Sequence, residues 1–313
     1  MNNKLKITLL GTGTSSGVPV LGCNCEVCRS QNPKDKRFRC AVLVETDHTR
    51  ILIDAGPDIR MQLLRVPFRK LDGVLITHIH YDHVGGMDDL RGFCKFGDIQ
   101  VYGDGLVTST LPHTMPYCFP ANPELLYPGA PKLSLHTIEP HHEYTIGDIS
   151  YIPIRVMHDK MPILGYRFGK FAYITDMKSM DDEEYTYLEG VEVLVINALR
   201  FEKPHHSHQL VDDAIRVARR IGARQVYLTH VTHQIGLYEK ANRRLPAGFQ
   251  FAYDTQVIEI LFSERASALK IPSILWCSFS PSALMLRFIL AASLKLLKKC
   301  LNISVGISPT FSL

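Results

Sequence analysis

Net charge is scarce over most of this sequence. Of its 35 Lys/Arg and 31 Asp/Glu residues, six and one lie from Glu264 onward, which leaves 29 basic and 30 acidic residues in 1–263, a net of −1. So balanced a body gives no electrostatic case for gripping nucleic acid. A long uncharged apolar run is also lacking. The best candidate, "SALMLRFILAASLKLLKKCLNI", is interrupted by Arg287 and Lys295 and is short for a bilayer span. The polar start "MNNKLKITLL" runs into a strand with no signal-peptide core, so a cytoplasmic protein is expected. What is present is a 46% apolar, 21% charged composition, that of a globular chain with a sizeable core. The expected organisation is a body, 1–263, and an apolar, basic tail, 264–313, with no part in the chemistry.

Eight cysteines do not imply a disulfide framework in a chain large enough to build a core, where Cys spacing more often marks metal or catalysis. "KITLLGTG" reads as a buried strand breaking into a Gly/Ser/Thr loop, Gly11 to Gly17. "CAVLVET" and "RILIDAG" read as a hairpin around "DHT". "PDIRMQLLR" and "SHQLVDDAIRVARRIG" carry helical spacing, the second closed by Gly222. "GVLITH", "YIPIRVMH", "GYRFG", "FAYITD", "VEVLVINA" and "ARQVYLTH" are strand-like runs, most ending in polar residues. Strands first, then strands alternating with helices, suggest packed sheets covered by helices.

Two constellations carry chemistry. "THIHYDHVGG" sets His78, His80, Asp82 and His83 within six residues. At a strand end His78 and His80 share one side, and imidazoles with a carboxylate suit zinc, manganese or iron. "LGCNCEVC" places Cys23, Cys25 and Cys28 together, three corners of a tetrahedral zinc site. Three buried or redox-active thiols are the alternative.

The His-x-His-x-Asp-His pattern after an apolar strand resembles the metallo-β-lactamase superfamily of metal-dependent hydrolases. That resemblance implies an α/β (α+β) four-layer αββα sandwich. It also implies two divalent metals, zinc or manganese: His78, His80 and His158 on one, Asp82, His83 and His230 on the other, and Asp176 between them. Two cations bridged by a carboxylate keep a shared water as hydroxide near neutral pH. Following "GTGTSSGVP", the Cys-x-Cys-x-x-Cys run is similar to that of phosphoribosyl cyclic phosphate phosphodiesterases. In that branch a late histidine completes a structural zinc site, and "LTHVTHQ" supplies His233.

The same branch implies a general acid just ahead of a helix. In "KPHHSHQL" His208 matches best and His205 is the reserve; the alternative is a Ser207 helix cap with surface histidines. Lys34, Lys36, Arg37 and Arg39 of "PKDKRFRC" offer either a phosphate site or, more simply, a solvated basic loop. The expected substrate is a small phosphodiester, best 5-phosphoribosyl 1,2-cyclic phosphate, and a homodimer is compatible with the branch. A ribonuclease Z-type tRNA processor and a non-catalytic metal-dependent binding module are the competing readings.

Overall fold

The central strands of this chain are apolar at most positions, and alternation sorts their side chains onto two faces, both buried. In the computed structural model, which describes residues 4–120 and 126–261, the strands run β1 (Lys4–Gly11), β2 (Ala41–Glu45), β3 (Arg50–Ile53), β4 (Gly73–Leu75), β5 (Ile99–Gly103), β6 (Leu133–Thr137), β7 (Tyr144–Ile146), β8 (Ile149–His158), β9 (Met161–Phe168), β10 (Phe171–Ile174), β11 (Val193–Asn197), β12 (Gln225–Thr229), β13 (Phe249–Phe251) and β14 (Gln256–Leu261). They form two seven-stranded sheets, ordered β14-β1-β2-β3-β4-β5-β6 and β13-β12-β11-β10-β9-β8-β7. The tail from Glu264 lies outside the described residues.

Between the sheets sit Leu5, Ile7 and Leu9 of β1, Val42 and Val44 of β2, Phe171 and Tyr173 of β10, and Val193 and Val195 of β11. Their alternate neighbours face outward. Ala41, Leu43 and Leu52 pack under α2 (Ile59–Leu63) and α4 (Gly105–Thr114). Ala172, Ile174, Leu194 and Ile196 pack under α5 (Val211–Ile221) and α6 (Tyr238–Asn242). Helix, sheet, sheet, helix is the four-layer sandwich expected. Two one-turn helices, α1 (Glu26–Arg29) and α3 (Tyr81–Val84), lie in the loops that carry the Cys and His clusters.

The β2–β3 hairpin forms in the register Val42↔Ile53 and Val44↔Ile51, its turn held by Thr46 Oγ1 accepting from the N–H groups of His48 and Thr49. Helix α5 buries Val211, Ala214 and Ala218 on one stripe and ends at Gly222 in a left-handed conformation, φ +84°. Its start differs from the sequence reading. Asp213 Oδ2 accepts from the Leu210 N–H at 2.9 Å, so the helix begins after Leu210, and the Ser207 hydroxyl is instead 3.1 Å from His205 Nδ1. Ser207 is no cap. Among the described residues no helix is long and apolar enough to cross a membrane.

Candidate metal centres

Ligand candidates come from the C-terminal ends of strands in both sheets: His78 after β4, His158 ending β8, Asp176 after β10, His230 after β12. Backbone bonds fix those ends. Leu164 N–H of β9 donates to Thr77 O (3.0 Å) and Tyr166 Oη to Ile76 O (2.6 Å), tying one sheet to the other just before His78. Asp54, Asp176 and His230 have φ of 62°, 56° and 53°, a left-handed region that costs a non-glycine residue roughly 1–2 kcal/mol. Three such residues in one place mark strain held where side chains must converge. Helix α3 then turns Asp82 and His83 back toward His78. Gly56 makes room: a Cβ there would lie 2.0 Å from Asp82 O.

The structure brings all seven expected active-site residues together. One set is His78, His80, His158 and Asp176, and the other Asp82, His83, Asp176 and His230; within each, one ligand atom per residue lies within 4.8 Å of the rest. Asp176 belongs to both. Its Oδ2 is 3.6 Å from His78 Nε2 and 3.3 Å from His83 Nε2, and its Oδ1 is 2.9 Å from His230 Nε2. Asp82 Oδ2 is 3.3 Å from His83 Nε2 and 3.6 Å from His230 Nε2.

A divalent cation fits this donor set. The Nε2 atoms of His78, His83 and His230 are buried without a hydrogen-bond partner among the described residues, an arrangement costly for a polar atom unless it has another ligand. The opposite ring nitrogens explain their aim. His158 Nδ1 lies 2.7 Å from Asp176 O and 3.0 Å from Ser207 O. Two carbonyls can only accept, so the proton is on Nδ1 and the Nε2 lone pair is free. His83 Nδ1 faces Asp54 Oδ2 at 2.7 Å. His78 Nδ1 lies 3.0 Å from Thr77 Oγ1, whose own proton goes to Asp54.

Electrostatics agree. Burial alone would raise the pKa of Asp176 and Asp82, but the His230 and His83 charges overcome it and hold both well below the carboxylate range. Burial alone would lower the imidazoles, but Asp176 and its fellow carboxylates lift His83 well above normal and His230 to about 10. The carboxylates thus favour positive charge at the very place a cation would take.

Asp54 and Thr77 escaped the sequence reading. Asp54 is fully buried and accepts from Thr77 N–H (2.8 Å), Thr77 Oγ1 (2.9 Å) and His83 Nδ1. Three donors around one carboxyl identify it as an ionised carboxylate, although burial pushes its pKa up. The available signal was an acid placed at the end of the buried run "RILID", directly before Ala55-Gly56.

His208 also reaches the cluster. Its ring centroid is 4.7 Å from that of His158 and 4.9 Å from that of His230, and its buried Nδ1 has no hydrogen-bond partner among the described residues. Burial, then the charge on His230, pushes its pKa down to about 3. His205 lies behind it, tilted, at 4.9 Å and is more exposed, and His206 stacks on His205 at 4.4 Å.

A second cluster forms in the N-terminal loop. Cys23, Cys25 and Cys28 Sγ lie 3.3, 3.4 and 3.3 Å from His233 Nδ1. Zinc bonds of about 2.3 Å to sulfur and 2.0 Å to nitrogen make a tetrahedral S···N edge of about 3.5 Å. Four ligand atoms already stand near the corners of such a site. The Cys28 N–H lowers the Cys25 thiol, while burial raises Cys28 to about 11.

The neighbouring basic residues are engaged by the fold, and Arg37 is not solvated as expected while Lys34, Lys36 and Arg39 stay partly exposed. Arg37 is buried and donates to Thr12 Oγ1 and Ala252 O. Arg39 pairs with Asp58 at 2.9 Å, Lys36 donates to Cys28 O, and Lys34 lies over the rings of Tyr238 and Tyr253.

Known proteins share this architecture. Residues 49–231 match a family described as the Beta-lactamase superfamily domain. An octanoyltransferase of Porphyromonas gingivalis is 40% identical over 267 residues, 85% of this chain and 53% of that protein, so the chain spans about half its length. A solved structure described as a new diphosphatase from the PhnP family is 36% identical, with a TM-score of 0.75, over 82% of this chain and 97% of that one. Human tRNase Z, short form, shares the fold alone: 18% identity and a TM-score of 0.59, over 81% of this chain and 98% of that one. By its fold, the convergence of its His and Asp side chains and the family match, the chain belongs to the metallo-β-lactamase superfamily.

Proposed function

We propose that the protein is a metal-dependent phosphodiesterase acting on a small, cyclic phosphodiester, best 5-phosphoribosyl 1,2-cyclic phosphate, opened to ribose 1,5-bisphosphate. The observation that carries this reading is a buried imidazole, His208, beside a seven-residue His/Asp cluster assembled from both sheets. His78, His80 and His158 would hold one cation, Asp82, His83 and His230 the other, with Asp176 shared; zinc or manganese suits both sets. Cys23, Cys25, Cys28 and His233 would hold a structural zinc. The catalytic body is 1–263, working in the cytoplasm.

Bound cations would acidify water and neutralise phosphoryl oxygens. The chain's own residues do the rest. Asp54 and Thr77 fix the ring orientations of His83 and His78. In the overall reaction water gives its OH to phosphorus and a proton to the leaving sugar oxygen as the P–O bond breaks. His208 delivers that proton. Burial and the charge on His230 hold its resting pKa down to about 3, and an anionic diester beside it favours the protonated ring that must give up the proton. A sugar alkoxide leaves poorly without such a donor.

A diphosphate bond is the second reading, favoured by the name of the 36%-identical solved relative. The octanoyl activity named for the Porphyromonas protein is not carried over, since this chain spans only 53% of it. Phosphorus NMR of the cyclic phosphate with zinc- or manganese-loaded protein tests the proposal. Appearance of ribose 1,5-bisphosphate, slowed about 10²-fold or more in His208→Ala, is the expected result. No turnover of the cyclic phosphate with rapid cleavage of a diphosphate ester overturns it in favour of the second reading.

A further inference from the structure

The segment carrying His205 and His208 has neither helix nor strand between Leu199 and Leu210, yet His208 must be held within a fraction of an ångström to act. Its backbone carbonyls show how this is done. Ser207 O accepts from His158 Nδ1, and Gln209 bridges to Met177 and Asn197. His205 O and His208 O both accept from one group, Lys178 Nζ, at 2.7 and 3.2 Å. Lys178 is half-buried, and among the described residues it forms no ion pair. Its backbone N–H donates to Met157 O at 2.7 Å, beside His158, and Asp176 is two residues before it. One ammonium therefore ties the histidine segment to the two strand ends that present Asp176 and His158.

We infer that Lys178 is a positioning residue for His208: by donating to the carbonyls on both sides of Ser207, it holds the imidazole over the reacting centre. This rests on the reading of His208 as the proton donor. The ammonium acts through backbone, since both of its bonds go to carbonyl oxygens. Charge-assisted bonds are about twice as strong as neutral ones, and a long aliphatic stem lets the charge reach both carbonyls. Loss of the clamp lets the segment shift, and a displacement of about 1 Å at a reacting group costs about 10²-fold. Only reactions that need the proton should suffer.

The test is leaving-group selectivity. Wild type, Lys178→Met, Lys178→Arg and His208→Ala are assayed as metal-loaded protein on 5-phosphoribosyl 1,2-cyclic phosphate, which expels a sugar alkoxide, and on bis(p-nitrophenyl) phosphate, whose leaving group needs no acid. Lys178→Met should lower kcat on the first about 10²-fold, with KM little changed, and leave the second within about twofold. Lys178→Arg, which keeps the charge and two donors, should restore most of the loss, and its selectivity carries the test should the uncharged variant not fold. In a His208→Ala background Lys178→Met should add nothing.

Equal losses on both substrates, or no loss on the cyclic phosphate while His208→Ala is impaired there, would overturn the clamp. A His208→Ala enzyme without leaving-group selectivity would instead remove the proton-donor reading beneath it.

Discussion

Replacing Asp54 with Asn tests whether the buried carboxylate behind His83 sets that ring's ability to bind metal. The exchange keeps shape and volume. Asn Oδ1 can still accept the Thr77 N–H, which donates at 2.8 Å in the native protein. Its amide group, however, takes the place of Oδ2, which faces His83 Nδ1 at 2.7 Å and Thr77 Oγ1 at 2.9 Å. An N–H donor opposite Nδ1 forces the His83 proton onto Nε2, the atom 3.3 Å from both Asp82 and Asp176. A protonated Nε2 cannot ligate. Recovering the ligating tautomer sets two N–H groups against each other in a fully buried place and forfeits a charged hydrogen bond, about 1.5–3 kcal/mol.

That converts to about 10- to 100-fold in affinity for the cation held by Asp82, His83 and His230, in line with the usual effect of removing a ligand's supporting carboxylate. The His78, His80 and His158 set should change less, because Thr77 stays. Competition titration of zinc against a chromophoric chelator resolves the two sites. Two unchanged affinities, or weakening of the His78 set alone, would refute the tautomer argument.

Gly56→Ala should cripple activity by about 10²-fold, because the new Cβ would lie 2.0 Å from Asp82 O and the loop carrying Asp82 must move. Gly92→Ala meets nothing within 4 Å, so kcat of the two variants side by side separates local displacement from a general effect of added methyl groups. Cys25→Ser should remove one zinc per chain by elemental analysis and lower the melting temperature. Unchanged zinc content would mean that the three cysteines and His233 hold none.

Much of this site was legible because its first half is local. His78, His80, Asp82 and His83 are neighbours in sequence, and strand alternation followed by one turn of helix suffices to bring them together. His158, Asp176 and His230 are single residues, readable only because the family resemblance implies a ligand after each of these successive strands. Asp54 was not legible: its partners His83 and Thr77 lie 29 and 23 residues away, and an acid after a strand is ordinary. Arg37 escaped a local reading for the same reason, since it is engaged by Thr12 and Ala252, as Arg39 is by Asp58, partners no local pattern announces. A Ser207 cap was the alternative reading there, because Ser often caps before an apolar run. Asp213 takes the Leu210 N–H instead, which leaves residues 205–208 free of the helix and able to lean over the cluster.

The two clusters are not independent, because His230 and His233 share one short segment. His230 holds a left-handed φ of 53°, a conformation that persists only where its surroundings over-determine it. Val231 does part of this, its N–H donating to Thr12 O and its carbonyl accepting from Thr14 N–H. Thr232 does more, donating both N–H and hydroxyl to Leu199 O. The loop on the other side has little apolar packing of its own: Val18, Val27 and Cys28, with Val20, Cys23 and Leu237 against them. A loop so thinly packed cannot brace a strained neighbour by burial alone. On the proposed reading, a metal cross-link from Cys23, Cys25 and Cys28 to His233 would supply the missing rigidity, three residues from the histidine that faces Asp176 across 2.9 Å. On this argument the N-terminal cysteines serve the chemistry without touching it, by fixing the backbone on which His230 turns.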